Sequence, residues 1–281
     1  MLKFPSLGPT QRVVRVSFLP AFAAAVVSAL IAVSSAAADS TDSSNWAGYA
    51  VHRSGVRFTR VVGAWTQPRP TCQRGKWTYS STWIGLGGYN PASNALEQIG
   101  TELDCGPSGQ AYSSAWYEVV PAPSQTIGLR VNPGDALRAS VSVVGKRIFV
   151  SLDDLTRNGS FTKTLHAGTV DITSADWIEE APSECTNAYS CHILPLADFR
   201  TVTFGFAQAT STTGQVGTIT GSAWRWTRIR LIPAGQGARA GAATPGSLQR
   251  NGTAFTVNYS AVGGGQPYPA REPTGPGYIR H

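Results

Sequence analysis

The chain has 281 residues, of which 42% are apolar and 10% aromatic, enough for a packed core and too apolar for a disordered chain. Charged residues make up only 14%. The absence of a heptad repeat excludes a coiled coil, and the single long apolar stretch excludes a polytopic membrane protein. The net charge is +7, but the basic residues are scattered singly, so a nucleic-acid-binding surface is not indicated.

The N-terminal segment has the pattern of a secretory signal peptide. Three basic residues precede the apolar run 16–33, and Ala36-Ala37-Ala38 offers a small-residue cleavage site. An uncleaved membrane anchor is the alternative, because the run approaches spanning length, but Pro20 and the interspersed serines favour cleavage. The sequence therefore predicts a signal peptide over residues 1–38 and a secreted chain of net charge +4.

Four cysteines remain after that cleavage, and an even number in an exported chain indicates disulfides. Three pairings are possible. Cys185 and Cys191 enclose five residues, a loop that a disulfide closes readily, so we expect this bridge and, with it, Cys72–Cys105. A metal site is the alternative, but the sequence has no Cys-x-x-Cys and no histidine pair at metal spacing, so we expect neither a metal nor a cofactor.

Residues 39–260 are predicted to form one β domain, because short alternating segments recur between turn signals and no helical periodicity follows the signal peptide. Gly145-Lys146 predicts a hairpin between Leu137–Val144 and Arg147–Asp154, and Asn158-Gly159 predicts the next turn. The other predicted strands are Trp46–His52, Thr59–Trp65, Ser81–Leu86, Ala111–Val119, Phe161–Thr169, Asp171–Glu180, Thr201–Ala207, Ala223–Ile232 and Ala254–Tyr259.

Two stretches read as irregular. Pro233–Ser247, rich in alanine and glycine, is expected to be a long loop. Residues 261–281 are rich in glycine and proline, so we expect a flexible tail.

Several common hydrolase signatures are absent. The sequence contains no Gly-x-Ser-x-Gly, no His-Glu-x-x-His and no Asp-Thr-Gly or Asp-Ser-Gly. A Ser-His-Asp triad assembled from distant residues stays open, since spacing does not test it.

Six segments, in this order, carry a family resemblance: Ser44-Asn-Trp-Ala-Gly-Tyr49, Val61-Val-Gly-Ala-Trp-Thr-Gln-Pro68, Ser81-Thr-Trp-Ile-Gly-Leu-Gly-Gly88, Leu96-Glu-Gln-Ile-Gly-Thr101, Ala115-Trp-Tyr-Glu-Val-Val-Pro121 and Ala175-Asp-Trp-Ile-Glu-Glu-Ala-Pro182. Each segment alone is weak, but the ordered set resembles the glutamic peptidases, also called the eqolisin family, from about Ser44 to Tyr259. The resemblance implies a two-sheet antiparallel β-sandwich like that of concanavalin-type lectins, and a secreted endopeptidase active in acid.

The resemblance places the catalytic pair at Gln98 and Glu180, with Trp83 and Glu118 supporting the site. Glu179 adjoins Glu180, but strand alternation sends the two side chains to opposite faces. The spacing from Trp177 and the following Ala-Pro favour Glu180.

This pair suits metal-free peptide hydrolysis. A carboxylate takes a proton from water and returns it to the leaving amine, if its pKa lies near the working pH. A glutamine amide donates N–H groups to the oxyanion without titrating. From the reference pKa of glutamate we expect an optimum at roughly pH 3–5.

Three departures from the family bear on this reading. Gly87-Gly88 stands where members often have Asp-Gly, the pI is 9.5 where fungal members are strongly acidic, and only Asp39–Ser43 separates the predicted cleavage site from the first motif. An inactive homologue therefore stays open as an alternative, as does a carbohydrate-binding module on the same architecture.

We expect a monomer that acts on proteins or peptides and has no membrane association after signal cleavage.

Overall fold

The computed structural model describes residues 39–187, 190–233, 241–262 and 278–281. The predicted signal peptide lies outside these ranges, as do parts of the predicted loop and tail. Within the described ranges, no helix is long and apolar enough to span a membrane.

The described residues are almost entirely β-strands and connecting turns, with one short 3-10 turn at Arg250–Gly252. In chain order the strands are β1 (Asp39–Ser43), β2 (Trp46–His52), β3 (Phe58–Thr66), β4 (Thr78–Gly87), β5 (Leu96–Cys105), β6 (Ala111–Val120), β7 (Gln125–Ile127), β8 (Ala136–Val144), β9 (Arg147–Asp154), β10 (Gly159–His166), β11 (Ser174–Glu180), β12 (Ser183–Asn187), β13 (Ser190–Ile193), β14 (Thr201–Ser211), β15 (Val216–Gly217), β16 (Arg225–Leu231), β17 (Ala242–Pro245), β18 (Phe255–Ser260) and β19 (Tyr278–Arg280).

The strongly patterned segments lie where the sequence predicts them. Strands β2 and β9 have the predicted bounds, and Val144 pairs with Arg147 across the predicted hairpin turn. Asn158 adopts a left-handed φ of 57° at the next turn, a conformation that asparagine tolerates well. Strand β17, however, lies inside the stretch predicted as a loop, because its backbone pairs with β18.

The main sheet is one hydrogen-bonded path rather than two separate sheets. Its order is β10-β9-β8-β3-β14-β18-β17-β16-β2-β11-β4-β5-β6-β7, with β15 beside β14 and β1 parallel to β16. The two seven-strand halves of this path meet at β17 and β16, which share a single residue pair, Leu231 with Ala243. Hydrogen bonds also cross between the halves, from Trp65 Nε1 to Thr101 Oγ1 at 3.0 Å and from Trp177 Nε1 to the Val62 carbonyl at 2.8 Å.

The central strands β2, β4 and β11 bury both of their faces. Trp177 belongs to the large core cluster, whereas its neighbour Ile178 belongs to a smaller cluster that also contains Trp83 and Trp116. Ile84 and Trp83 divide between the clusters in the same way. One face of these strands therefore builds the core, and the other lines a second, aromatic-rich region.

Two disulfides join described residues, Cys72–Cys105 and Cys185–Cys191, the pairing expected from the sequence. Cys185 lies in β12, the central strand of a small second sheet of order β13-β12-β19. Strand β19 belongs to the stretch predicted as a flexible tail, and pairing with β12 gives it a regular backbone.

Candidate active site

Four adjacent strands, β11, β4, β5 and β6, bring the predicted site residues together. Glu180 comes from β11, Trp83 from β4, Gln98 from β5 and Glu118 from β6. The antiparallel registers place Ile178 opposite Trp83 and Gln98 opposite Glu118. Because side chains two apart share a face of a strand, all four side chains project from the same face of the sheet.

Two hydrogen-bond donors hold the carboxyl group of Glu180. Asn45 Nδ2 donates to Oε1 and Trp83 Nε1 donates to Oε2, each at 2.7 Å. Trp46 packs edge-on against Trp83, with ring centroids 4.9 Å apart, which limits the movement of the indole donor. The orientation of the carboxyl plane is therefore fixed from both sides.

Burial raises the pKa of Glu180 well above its ordinary value, because the side chain is almost completely removed from water. The hydrogen bond from Trp83 opposes this rise, while the nearby carboxylate of Glu118 adds to it. A carboxyl group in this environment accepts and releases a proton at a higher pH than a free glutamate.

Gln98 and Glu118 form a buried cross-strand pair. Gln98 Nε2 donates to Glu118 Oε2 at 2.7 Å, and both side chains are inaccessible to solvent. The acceptor carboxylate fixes the amide with its nitrogen toward β6. The second hydrogen of the amide nitrogen lies on the face that carries Glu180, where it can stabilise a negatively charged oxygen once a substrate occupies the site.

Glu179 lies on the opposite face, as strand alternation predicts. Its Oε2 accepts a hydrogen bond from Thr82 Oγ1 at 2.5 Å, and burial raises its pKa to about 8. It makes no described hydrogen bond with Gln98, Trp83 or Glu118.

The sequence motifs predict no role for three residues of the site, Asn45, Ser81 and His281. Asn45 is part of the Ser44-Asn45-Trp46 motif, so a signal for it existed. Ser81 opens another motif, and its Oγ lies 2.8 Å from His281 Nδ1. Nothing in the local sequence of His281 predicts its position, because it follows a Gly/Pro-rich stretch.

A cavity of about 570 Å³ adjoins this cluster. Its lining includes Asp42, Asn45, Trp46, Tyr89, Glu180 and His281. Among the described residues, no group of three or more His, Cys, Asp and Glu side chains is placed to hold a metal ion.

An acidic group does adjoin Gly87-Gly88, although the chain has no aspartate at that point. Gly87 has φ +85°, and a Cβ there would lie 2.5 Å from atoms of Asp171. The Asp171 carboxylate accepts a hydrogen bond from the Gly88 N–H at 3.2 Å. The end of strand β4, which carries Trp83, is thus in contact with a carboxylate from another part of the chain.

Known proteins resemble this chain over most of its length. The family model for the Peptidase A4 family matches residues 44–257. Aspergillopepsin-2 of Aspergillus niger is 28% identical over 198 residues, which cover 62% of this chain and 67% of that protein.

Two solved structures share the fold. Scytalido-glutamic peptidase, determined with a peptide-based transition-state analogue, superposes with a TM-score of 0.64 at 22% identity, covering 77% of this chain and 98% of its own. SCP-B, an eqolisin determined with the tripeptide Ala-Ile-His, gives a TM-score of 0.60 at 21% identity with the same coverages.

Proposed function

Because this chain belongs to the Peptidase A4 family, whose members are glutamic peptidases, we propose that it hydrolyses peptide bonds within proteins in acid, with Glu180 and Gln98 as its catalytic residues. The observation that carries this assignment is the fixed carboxyl group of Glu180, held by Asn45 and Trp83 on the face from which Gln98 projects. The peptide ligands of the two structural relatives fit a peptide substrate.

The geometry suits a two-step hydrolysis. Ionised Glu180 takes a proton from a water molecule as the water oxygen attacks the scissile carbonyl carbon. Gln98 Nε2 donates to the oxygen that becomes negatively charged. Glu180, now protonated, returns the proton to the leaving amine as the C–N bond breaks, which restores the carboxylate.

The raised pKa of Glu180 sets a condition on this cycle. Only the ionised carboxyl group activates water, whereas burial of Glu180 in this structure favours its neutral form. Entry of water into the site would lower the pKa again, because hydration favours the charged carboxylate. We therefore expect the rising limb of the pH profile above the ordinary value of 4.5, with activity still on the acid side of neutrality.

The test compares neighbouring glutamates with the same substitution. Glu180→Gln should lower kcat on a denatured protein substrate by 100-fold or more, because the proton acceptor is lost, as is usual for general bases. Glu179→Gln is the matched control and should keep wild-type turnover, since Glu179 lies on the other face. Turnover should be measured between pH 2 and 7.

Gln98→Glu is the second arm of this test. A carboxylate would repel the developing oxyanion, and the loss of one such donor costs on the order of 100- to 1,000-fold in kcat. Wild-type rates in both Glu180→Gln and Gln98→Glu would contradict the assignment. Loss of activity in Glu179→Gln alone would mean that the glutamates are misassigned by one residue.

We also infer that the protein is secreted and acts as a monomer without membrane association. The signal-peptide pattern and the two disulfides support export. A two-layer sandwich is the arrangement that we infer for the main sheet. Its halves meet at one residue pair and are crossed by the Trp65 and Trp177 hydrogen bonds.

A further inference from the structure

A segment of the chain itself lies in the candidate active site. Strand β19 pairs antiparallel with β12, placing Arg280 opposite Ser183 and Tyr278 opposite Cys185. Strand β12 begins three residues after Glu180, so the ladder leads the segment directly to the catalytic carboxyl group. Extended peptides bind many proteins in this way, by adding a strand to an exposed sheet edge.

His281 continues the segment into the cluster and is held there by side chain and backbone. Its ring stacks on Trp116, with centroids 3.8 Å apart and planes at 16°, and its Nδ1 lies 2.8 Å from Ser81 Oγ. Its N–H donates to Glu118 Oε2 at 3.1 Å, and its main-chain oxygen accepts from Gln98 Nε2 at 2.6 Å. The residue is only 5% exposed.

These contacts use the full donor capacity of Gln98. A glutamine amide nitrogen carries two hydrogens. One is donated to Glu118 and the other to the main-chain oxygen of His281. While the segment is in place, no hydrogen of this amide is left for the carbonyl oxygen of a substrate.

We propose that residues 278–281 are an intramolecular inhibitor, which occupies the substrate cleft as an added strand and presents the main-chain oxygen of His281 to Gln98 in place of a scissile carbonyl. This inhibitory role rests on the proposed peptidase function. The segment competes with a peptide substrate for the edge of β12, the ring of Trp116 and the amide of Gln98. The fraction of molecules with the segment released sets the apparent affinity for substrate.

The first arm of the test is His281→Ala in the full chain, with His166→Ala as the control because His166 is an exposed histidine of β10. Loss of the stacked ring and its hydrogen bond should lower the apparent KM for a peptide substrate about ten-fold, with kcat little changed. His166→Ala should match the wild type. An unchanged KM in His281→Ala would overturn the proposal.

The second arm does not depend on activity. A fluorescent peptide Tyr-Ile-Arg-His, amidated at its C-terminus, should bind a variant lacking 278–281 and inhibit it competitively. It should bind the full chain at least ten-fold more weakly, and a peptide of the same residues in another order should not bind the variant. Equal binding to both proteins, or none to either, would overturn the proposal. Binding without hydrolysis by any variant would overturn the proposed function, and the inhibitory role with it.

Discussion

The side chains of Glu179 and Glu180 lie in different surroundings although the two residues are adjacent. Glu180 accepts hydrogen bonds from the N–H groups of Asn45 and Trp83 and faces the cavity. Glu179 accepts a hydrogen bond from the Thr82 hydroxyl on the opposite face. Both carboxyl groups have raised pKa values because both are buried. A raised pKa alone therefore does not distinguish Glu180 from Glu179. The N–H donors of Glu180 and its position beside the cavity distinguish the two.

Glu179→Gln should stabilise the protein at neutral pH. Burial raises the pKa of Glu179 from 4.5 in a free chain to about 8, so the folded protein binds the proton more tightly than the unfolded chain does. Its effect on stability is therefore absent below pH 4.5, and the folded state loses stability as pH rises from 4.5 to 8. The glutamine side chain of the variant stays neutral and avoids that loss. We therefore expect its free energy of unfolding at pH 7 to exceed that of the wild type by up to about 3 kcal/mol.

Urea unfolding of wild type and Glu179→Gln at pH 4 and pH 7 would measure this difference. The two proteins should have similar free energies of unfolding at pH 4 and should diverge at pH 7. An equal difference at both pH values would contradict the raised pKa, since it would reflect packing alone.

At the scale of strands, the sequence predicts best where one face of a strand is buried and the other is partly exposed. Strand β9 alternates buried residues with exposed or partly buried ones along its length, and its bounds agree with the prediction. Strand β5 shows no such alternation, because nearly all its residues are buried. The sequence pattern does not predict it as a strand, although the family resemblance places Gln98 there. Burial of both faces removes the pattern on which the prediction depends.

The sequence also fails to predict short strands whose pairing partners lie far away in the chain. Strand β19 follows a Gly/Pro-rich stretch and pairs with β12, far away in sequence. Local composition contains no information about that partner. The same reason explains why the motifs supplied Gln98, Glu180, Trp83 and Glu118 for the site, while His281 became apparent only from the structure.

The two disulfides should separate stability from peptide binding. Cys185–Cys191 joins β12 to β13 beside the edge that receives β19, whereas Cys72–Cys105 closes a longer loop at the far end of β5. Replacing the cysteines of the short loop with serine should cost about 2 kcal/mol in unfolding free energy, and those of the long loop about 4 kcal/mol. Only the short-loop variant should bind the amidated tetrapeptide more weakly.

Thermal unfolding and peptide titration of both double variants, each made without residues 278–281, would check this prediction. Similar losses of peptide affinity in the two variants would indicate that general destabilisation, and not the β12 edge, controls binding.

At the scale of the whole molecule, pH should control whether residues 278–281 occupy the cleft. Burial lowers the pKa of His281 from 6.5 to about 3, so the docked segment carries a neutral ring. Among the described residues, the acidic groups that line the site with it are Glu118 from β6, Glu180 from β11 and Asp42 from β1. While the segment is docked, burial raises the pKa of Glu180 and favours its neutral form, which does not attract an imidazolium ion.

The lowered pKa of His281 determines how docking of residues 278–281 depends on pH. The stability of the docked state is fully present above pH 6.5 and is lost as the pH falls from 6.5 toward 3, because the released histidine binds a proton that the docked one excludes. Binding of the amidated tetrapeptide to the variant lacking 278–281 should therefore weaken by up to about ten-fold per pH unit across this range. A protein secreted near neutrality would keep its own cleft occupied and would expose it on acidification, under the conditions in which the proposed hydrolysis operates.

A peptide with phenylalanine in place of the histidine provides the matched control, since its ring can stack on Trp116 but does not titrate. Fluorescence anisotropy at pH 3, 4, 5, 6 and 7 should show a steep pH dependence for the histidine peptide and a shallow one for the phenylalanine peptide. Parallel profiles would mean that the protein's own carboxyl groups, and not His281, control docking. A histidine peptide that binds more tightly in acid would contradict the neutral, buried ring. The difference between the two profiles isolates the one proton that couples acidification to release of the segment.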